Sequence, residues 1–134
     1  MQYLYEETKN GIRINRVWGY DNIVEIPDML RGKEVTELGA YVFSDHMGNL
    51  WMEDGNREFN VEKLPEISGP SLKELVLPKG IKKVGRYAFY NCRNLEKLDF
   101  GGKLKDLGAG ALTGCHQVQE LRVKLGEDGK SCLR

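Results

Sequence analysis

Among the residues suited to chemistry, Cys92 and Cys115 occur 23 positions apart in "YNCRN" and "TGCHQ". The remaining soft or basic groups are Cys132, His46 and His116. A metal ion needs several converging ligands at suitable spacing, and the chain has neither a C-x-x-C nor an H-x-x-x-H arrangement. Cys115-His116 is an adjacent pair whose side chains face opposite sides, so no metal site is expected. Ser44-Asp45-His46 holds the residue types of a nucleophile, an acid and a base. Consecutive side chains do not converge as nucleophilic catalysis requires. No nucleophile elbow, P-loop or dinucleotide glycine motif occurs. No catalytic residue, cofactor or enzymatic activity is therefore expected. Free cysteine serves as a small core hydrophobe, so Cys92 and Cys115 are expected to be buried, reduced thiols, with a disulfide as the alternative reading. Cys132 is expected to be exposed.

The shared phase of the two cysteines belongs to a larger pattern. The segments "LKELVLPKGIKKVGRYAFYNCRN" (72–94) and "LEKLDFGGKLKDLGAGALTGCHQ" (95–117) align without a gap. Leu72, Leu75, Gly85, Ala88 and Cys92 meet Leu95, Leu98, Gly108, Ala111 and Cys115. Apolar character is kept at Leu77/Phe100, Ile81/Leu104, Val84/Leu107 and Phe89/Leu112, while positions between them vary. Only inward positions are constrained by packing, so the kept positions are candidate core. A third copy starts at Val118 with Leu121 and Val123, and an earlier one lies in "VTELGAYVF" (35–43), where Gly39, Tyr41 and Phe43 match Gly85, Tyr87 and Phe89. The "GGKLKDLGAGALTG" glycines sit at repeat-dictated positions and form no phosphate cradle.

A period of 23 residues falls among leucine-rich repeats, which run about 20–29 residues. Strict alternation in "LKELVL" predicts a strand with Leu75 and Leu77 inward. Strands near 23–26, 74–77, 97–100 and 120–123 are predicted to form one parallel sheet with Leu75, Leu98 and Leu121 stacked inside. Gly85 and Gly108 mark tight bends or close backbone approach, and Arg86 to Asn91 is expected to hold a turn of helix. "YLYEETKNGIRINRVWGY" reads as a hairpin joined around Asn10-Gly11. The expected organisation is a hairpin cap over 1–21, a first repeat over 22–43, an insertion over 44–71, repeats over 72–123 and an irregular tail over 124–134.

Residues 22–43 and 72–123 resemble the BspA-type, or treponemal-type, leucine-rich repeat in their Leu-rich strand, Pro, Ile/Val-Gly, Ala-Phe, Asn-Cys and Asn-Leu. The resemblance implies a leucine-rich repeat solenoid, an α/β-type right-handed coil with a parallel sheet. It also implies binding to proteins or host surfaces in bacteria of the gut and mouth, with no shared catalytic residue. The chain departs from that pattern in its insertion and in Leu112, where Phe is usual.

Twenty basic and twenty acidic side chains balance to zero, whereas phosphate-binding proteins carry a basic excess, so nucleic acid is not an expected partner. No apolar run approaches the roughly 20 residues of a membrane span, and "MQYLYEETKNG" lacks the layout of a signal peptide. With Met1 as the natural start, the chain is expected in the cytoplasm, while the resembled family is often secreted or at the cell surface. A protein-interaction module is the expected function. Its candidate contacts are Val76, Asp99 and Arg122 on the strand face and Trp51, Met52 and Phe59 in the insertion, because aromatic and Met side chains are enriched at interface cores. The alternative is a carbohydrate- or surface-binding module using insertion aromatics, with Trp18, Tyr20, Trp51 and Tyr90 as its platforms. Glu127, Asp128 and Lys130 replace core residues after Val123. The last apolar layer is therefore expected to lack a cover and to favour self-association or continuation into further repeats.

Overall fold

The computed structural model describes residues 1–44, 56–57 and 64–124. Trp51, Met52, Phe59, His46 and Cys132 lie outside these residues. The strands are β1 Gln2–Thr8, β2 Gly11–Trp18, β3 Ile23–Glu25, β4 Met29–Leu30, β5 Lys33–Leu38, β6 Asn56–Arg57, β7 Glu74–Val76, β8 Lys83–Val84, β9 Lys97–Lys103, β10 Asp106–Leu107 and β11 Glu120–Lys124.

The strands divide between two sheets. One is wholly parallel and runs β11-β9-β7-β3; the other runs β10-β8-β5-β2-β1-β6, with β4 beside β5. Each repeat unit places a strand in the first sheet and a short one in the second, then turns back. The predicted register is the observed one: Leu75 pairs with Leu98, Leu98 with Leu121, and Val24 with Leu75. Alternation sends Val24, Leu75 and Leu98 into the core between the sheets. Across the 44–71 segment the stack is uninterrupted, since β3 pairs directly with β7 and β5 with β8.

The expected turn of helix at 86–91 is instead a run of hydrogen-bonded turns, and no helix occurs among the described residues. The reason is local. Tyr41 and Tyr87 adopt φ of 63° and 52°, and Asn91 one of 57°, left-handed values that interrupt a right-handed helix. In exchange the turns bond across units: Tyr41 and Phe43 donate to the carbonyls of Arg86 and Ala88, and Tyr87 and Phe89 to those of Ala109 and Ala111. The rings follow, with Phe43 stacked on Phe89 at 6.1 Å inside and Tyr41 on Tyr87 at 5.6 Å outside. Gly85 and Gly108 serve close approach: a Cβ on either would collide with the backbone of Ala40 or Arg86 in the preceding unit.

β1 and β2 form the predicted hairpin, with Thr8 facing Gly11 across Lys9-Asn10. β2 then lies parallel on β5, Ile12 against Val35 and Ile14 against Leu38, and buries Ile12, Ile14 and Val17. A second hairpin, unforeseen in the sequence, joins β4 to β5 through Arg31-Gly32, both left-handed at φ 53° and 77°, as a two-residue primed turn requires.

Burial declines along the stack. Leu72, Leu75, Leu77, Ile81, Val84, Phe89 and Cys92 are buried, whereas Leu107, Leu112, Cys115, Val118 and Val123 are only partly so. Leu121, expected inside, is 40% exposed. Its strand register is the predicted one, but no described unit lies beyond it to cover it.

Candidate functional site

The outer face of the parallel sheet is built by alternation. While Leu75 and Leu98 point inward, their neighbours form two columns: Ile23, Glu74, Lys97, Glu120 and Glu25, Val76, Asp99, Arg122. The first is self-paired as its alternating signs suggest, with Lys97 Nζ 3.9 Å from Glu74 and 3.7 Å from Glu120. Such exposed pairs contribute little stability, about 0.2–1 kcal/mol each. Their effect is to occupy one another's charge.

The second column differs. Val76, Asp99 and Arg122 are consecutive partners across three strands, so the strand-face residues singled out from the sequence are brought together. Val76 and Arg122 are exposed, and Asp99 is half-buried, accepting the Gly101 amide at 2.9 Å. Arg122 reaches Glu120 at 3.3 Å on its own strand. A shallow depression of about 160 Å³ lies over Glu74, Val76, Lys97, Asp99, Glu120 and Arg122. A second, of about 390 Å³, continues from Asp99 and Arg122 over Gly101, Leu121 and Val123. Asp99 and Arg122 are the wall common to both.

The other sheet carries an outward charge row that the sequence reading missed. Glu6 pairs with Arg13, Arg13 with Glu37, Glu37 with Lys83, and Lys83 with Asp106. Signs alternate throughout. Arg13 contacts Glu6 and lies 3.6 Å from Glu37. The Arg13 hydrogen bond, then that from Asn15, holds the Glu6 carboxyl below the usual carboxylate range, while Glu6 in turn raises the Arg13 guanidinium. The available signal was the opposite charge at alternating positions of β2 and β5, but it becomes visible only once the strands are paired.

Arg16 is a further missed residue. Its guanidinium is buried; Nη1 donates to the carbonyls of Tyr41 and Val42 at 2.9 and 3.0 Å, and Nη2 donates to that of Ser44 at 3.0 Å. Nη2 also lies 2.6 Å from Glu66 Oε2. Beside it Ile67 and Gly19 donate to the carbonyls of Val17 and Pro65.

The aromatic residues weighed for a surface-binding role separate. Trp18 is buried, facing Gln2 and Glu66, and forms part of the hairpin packing. Tyr20 is 75% exposed. Tyr90 meets Tyr87 edge-on at 5.8 Å, extending the Tyr41–Tyr87 stack into a three-ring cluster at the corner of the units. Among the described residues no group of His, Cys, Asp or Glu is arranged to hold a metal ion, and no helix is long and apolar enough to cross a membrane.

Residues 67–132 match the profile of the BspA type Leucine rich repeat region (6 copies). That stretch of the chain is therefore similar to a BspA-type leucine-rich repeat region. Solved structures similar to the chain include the following two. A leucine rich repeat protein of T. pallidum shares 21% identity at a TM-score of 0.65, the match covering 89% of this chain and 46% of that one. A leucine rich cell surface protein of Faecalibacterium prausnitzii A2-165 shares 18% identity at a TM-score of 0.63, covering 88% of this chain and 28% of that one. The fold is thus a leucine-rich repeat fold with a parallel sheet, and the chain spans less than half the length of either similar protein. No curated protein matches the chain.

Proposed function

We propose that the chain is a non-catalytic protein-interaction module that presents the outer face of its parallel sheet to a protein partner. The carrying observation is the Val76–Asp99–Arg122 row, an exposed apolar side chain beside a carboxylate and a guanidinium at the junction of two depressions. This column sets an open apolar position beside a carboxylate and a guanidinium in the middle of the sheet, while Arg122 also reaches Glu120 of the first column at 3.3 Å. Trp51, Met52 and Phe59 belong to the same reading as contacts supplied by the 44–71 insertion. The scaffold reading is a right-handed solenoid with residues 1–21 as the hairpin cap, 22–43 and 72–123 as repeats and 124–134 as an irregular tail.

Selection of displayed random peptides against the whole chain tests this. Enriched peptides should lose at least tenfold in affinity with Val76→Asp or Arg122→Glu and keep it with Lys83→Glu on the opposite sheet. Peptides insensitive to both strand-face substitutions would refute the site.

Two subsidiary readings rest on single features. The Tyr41–Tyr87–Tyr90 cluster favours the alternative of a carbohydrate- or surface-binding module, and loss of glycan-array binding in Tyr87→Ala would support it. The 40% exposure of Leu121 favours self-association through the β11 end. A mass that stays monomeric in light scattering across concentration would remove that reading.

A further inference from the structure

The turns that follow β8 and β10 bring two thiols together. Asn91 donates to the Thr113 carbonyl at 2.9 Å, so the chains leading to Cys92 and Cys115 run side by side. Each thiol donates to a phenylalanine carbonyl of the unit before it, Cys92 to Phe43 at 3.4 Å and Cys115 to Phe89 at 3.1 Å. The geometry repeats from unit to unit, so the sulfurs share one direction. Chains joined by such a backbone hydrogen bond lie about 5 Å apart, inside the Cα separation of about 4.4–6.8 Å that a disulfide takes. Access is unequal: Cys92 is fully buried, whereas Cys115 is partly exposed. Cys92 beside it lowers the Cys115 pKa, against the raising effect of burial. An accessible thiol with eased ionisation beside a second cysteine is the arrangement of a redox-sensitive pair.

We propose that Cys115 and Cys92 form an oxidisable dithiol, with Cys115 as the thiol attacked by a hydroperoxide and Cys92 as the resolving thiol. The Cys115 thiolate attacks one peroxide oxygen; the O–O bond breaks, an alcohol or water leaves with a proton, and Cys115 becomes a sulfenic acid. The Cys92 sulfur then attacks the Cys115 sulfur; the S–S bond forms, the S–O bond breaks, and hydroxide leaves as water with the Cys92 proton. Two thiols lose two electrons and the hydroperoxide gains them. The product joins consecutive repeat units covalently and removes both thiol–carbonyl hydrogen bonds. This proposal stands apart from the interaction reading and uses none of its residues.

The test uses the whole chain carrying Cys132→Ser, folded and treated with hydrogen peroxide. Peptide mapping under non-reducing conditions should recover Cys92 linked to Cys115 within one chain. Adding Cys92→Ser should halt the reaction at a Cys115 sulfenic acid that dimedone traps, and adding Cys115→Ser instead should leave Cys92 reduced while the chain stays folded. Progress of Cys115 to sulfinic acid with Cys92 still reduced would overturn the proposal, as would a Cys115 link between two chains. Because the first arm keeps both cysteines, a variant that fails to fold leaves it decisive.

Discussion

Arg16 and Glu66 stand 50 residues apart in sequence and 2.6 Å apart in space. The guanidinium also binds the carbonyls of Tyr41, Val42 and Ser44, so one side chain fixes the last described turn before the 44–71 segment to its return. Glu66 is partly exposed, which screens the charge pair; the buried Val42 and Ser44 carbonyls accept from Arg16, and the Tyr41 carbonyl accepts from both Arg16 and the Ser44 amide. Arg16→Met should cost about 3 kcal/mol, since it removes a charged donor from several carbonyls at a buried position, while Glu66→Gln should cost under about 1 kcal/mol. Urea melts of the two variants check this; equal losses would show that the ion pair, not the carbonyl set, matters.

Position along the stack should govern the cost of core truncation. Leu98→Ala removes a fully buried side chain between two pairing strands and should cost about 2–5 kcal/mol. Leu121→Ala, at the same phase one unit on, should cost distinctly less, about 1 kcal/mol, because Leu121 is already 40% exposed. Denaturant midpoints that ranked the two equally would mean that the β11 end is covered in solution.

The repeat itself was legible because it is written at inward positions. Leu75, Leu98 and Leu121 recur at a fixed period between outward neighbours that, Val76 apart, are charged, and packing forces both features at once. Other features depend on pairings that only the fold creates. The Glu6–Arg13–Glu37–Lys83–Asp106 row crosses five strands, two of them only two residues long. The Arg31-Gly32 hairpin uses an arginine at positive φ, outside the usual Asn-Gly or Asp-Gly signature. The exposure of Leu121 and the burial of Trp18 are set by what lies next to them in space, which a local pattern does not encode. For the candidate site, the Val76, Asp99 and Arg122 row followed from the period, whereas Trp51, Met52 and Phe59 fall outside the described residues.

Glycine at the repeated bend should be irreplaceable for steric reasons. Gly85→Ala places a methyl into the backbone of Gly39 and Ala40, atoms that have no rotamer by which to move aside. Overpacking of this kind should cost about 1–3 kcal/mol. Gly32→Asn, at a left-handed turn position with open space around it, should be nearly neutral. Thermal melts that reversed this order would argue against close approach as the role of Gly85.

Acid should weaken the hairpin sheet through Glu6. Its carboxyl titrates below the usual range in the folded chain because Arg13, then Asn15, bind the ionised form. The unfolded chain therefore takes up this proton first as pH falls. The contribution is fully present above the unfolded glutamate value and is lost as pH drops through the lowered folded value. Glu6→Gln should flatten that acid limb and leave stability near neutrality only slightly changed, as for a partly exposed pair. Urea midpoints measured between neutrality and the low end of carboxylate titration check it; an unchanged acid limb would rule it out.

The direct pairing of β3 with β7 also orders the folding of the chain. Glu74 meets Lys97, and Lys97 meets Glu120, each across 23 residues, whereas Ile23 meets Glu74 only after a closure of 51. Short closures are found first, since the search for a partner lengthens with the chain between them. Short closures exist on both sides of that long one, Thr8 with Gly11 and Ile12 with Val35 on one side and the 72–124 units on the other, so the two sides form first and the β3–β7 pairing joins them afterwards. The length of the intervening chain then acts on rate far more than on final stability, because doubling a loop adds only about 0.6 kcal/mol. Pulsed hydrogen exchange should accordingly protect the amides of Leu98 and Phe100 before that of Ile26, which donates to Val76 across the long closure.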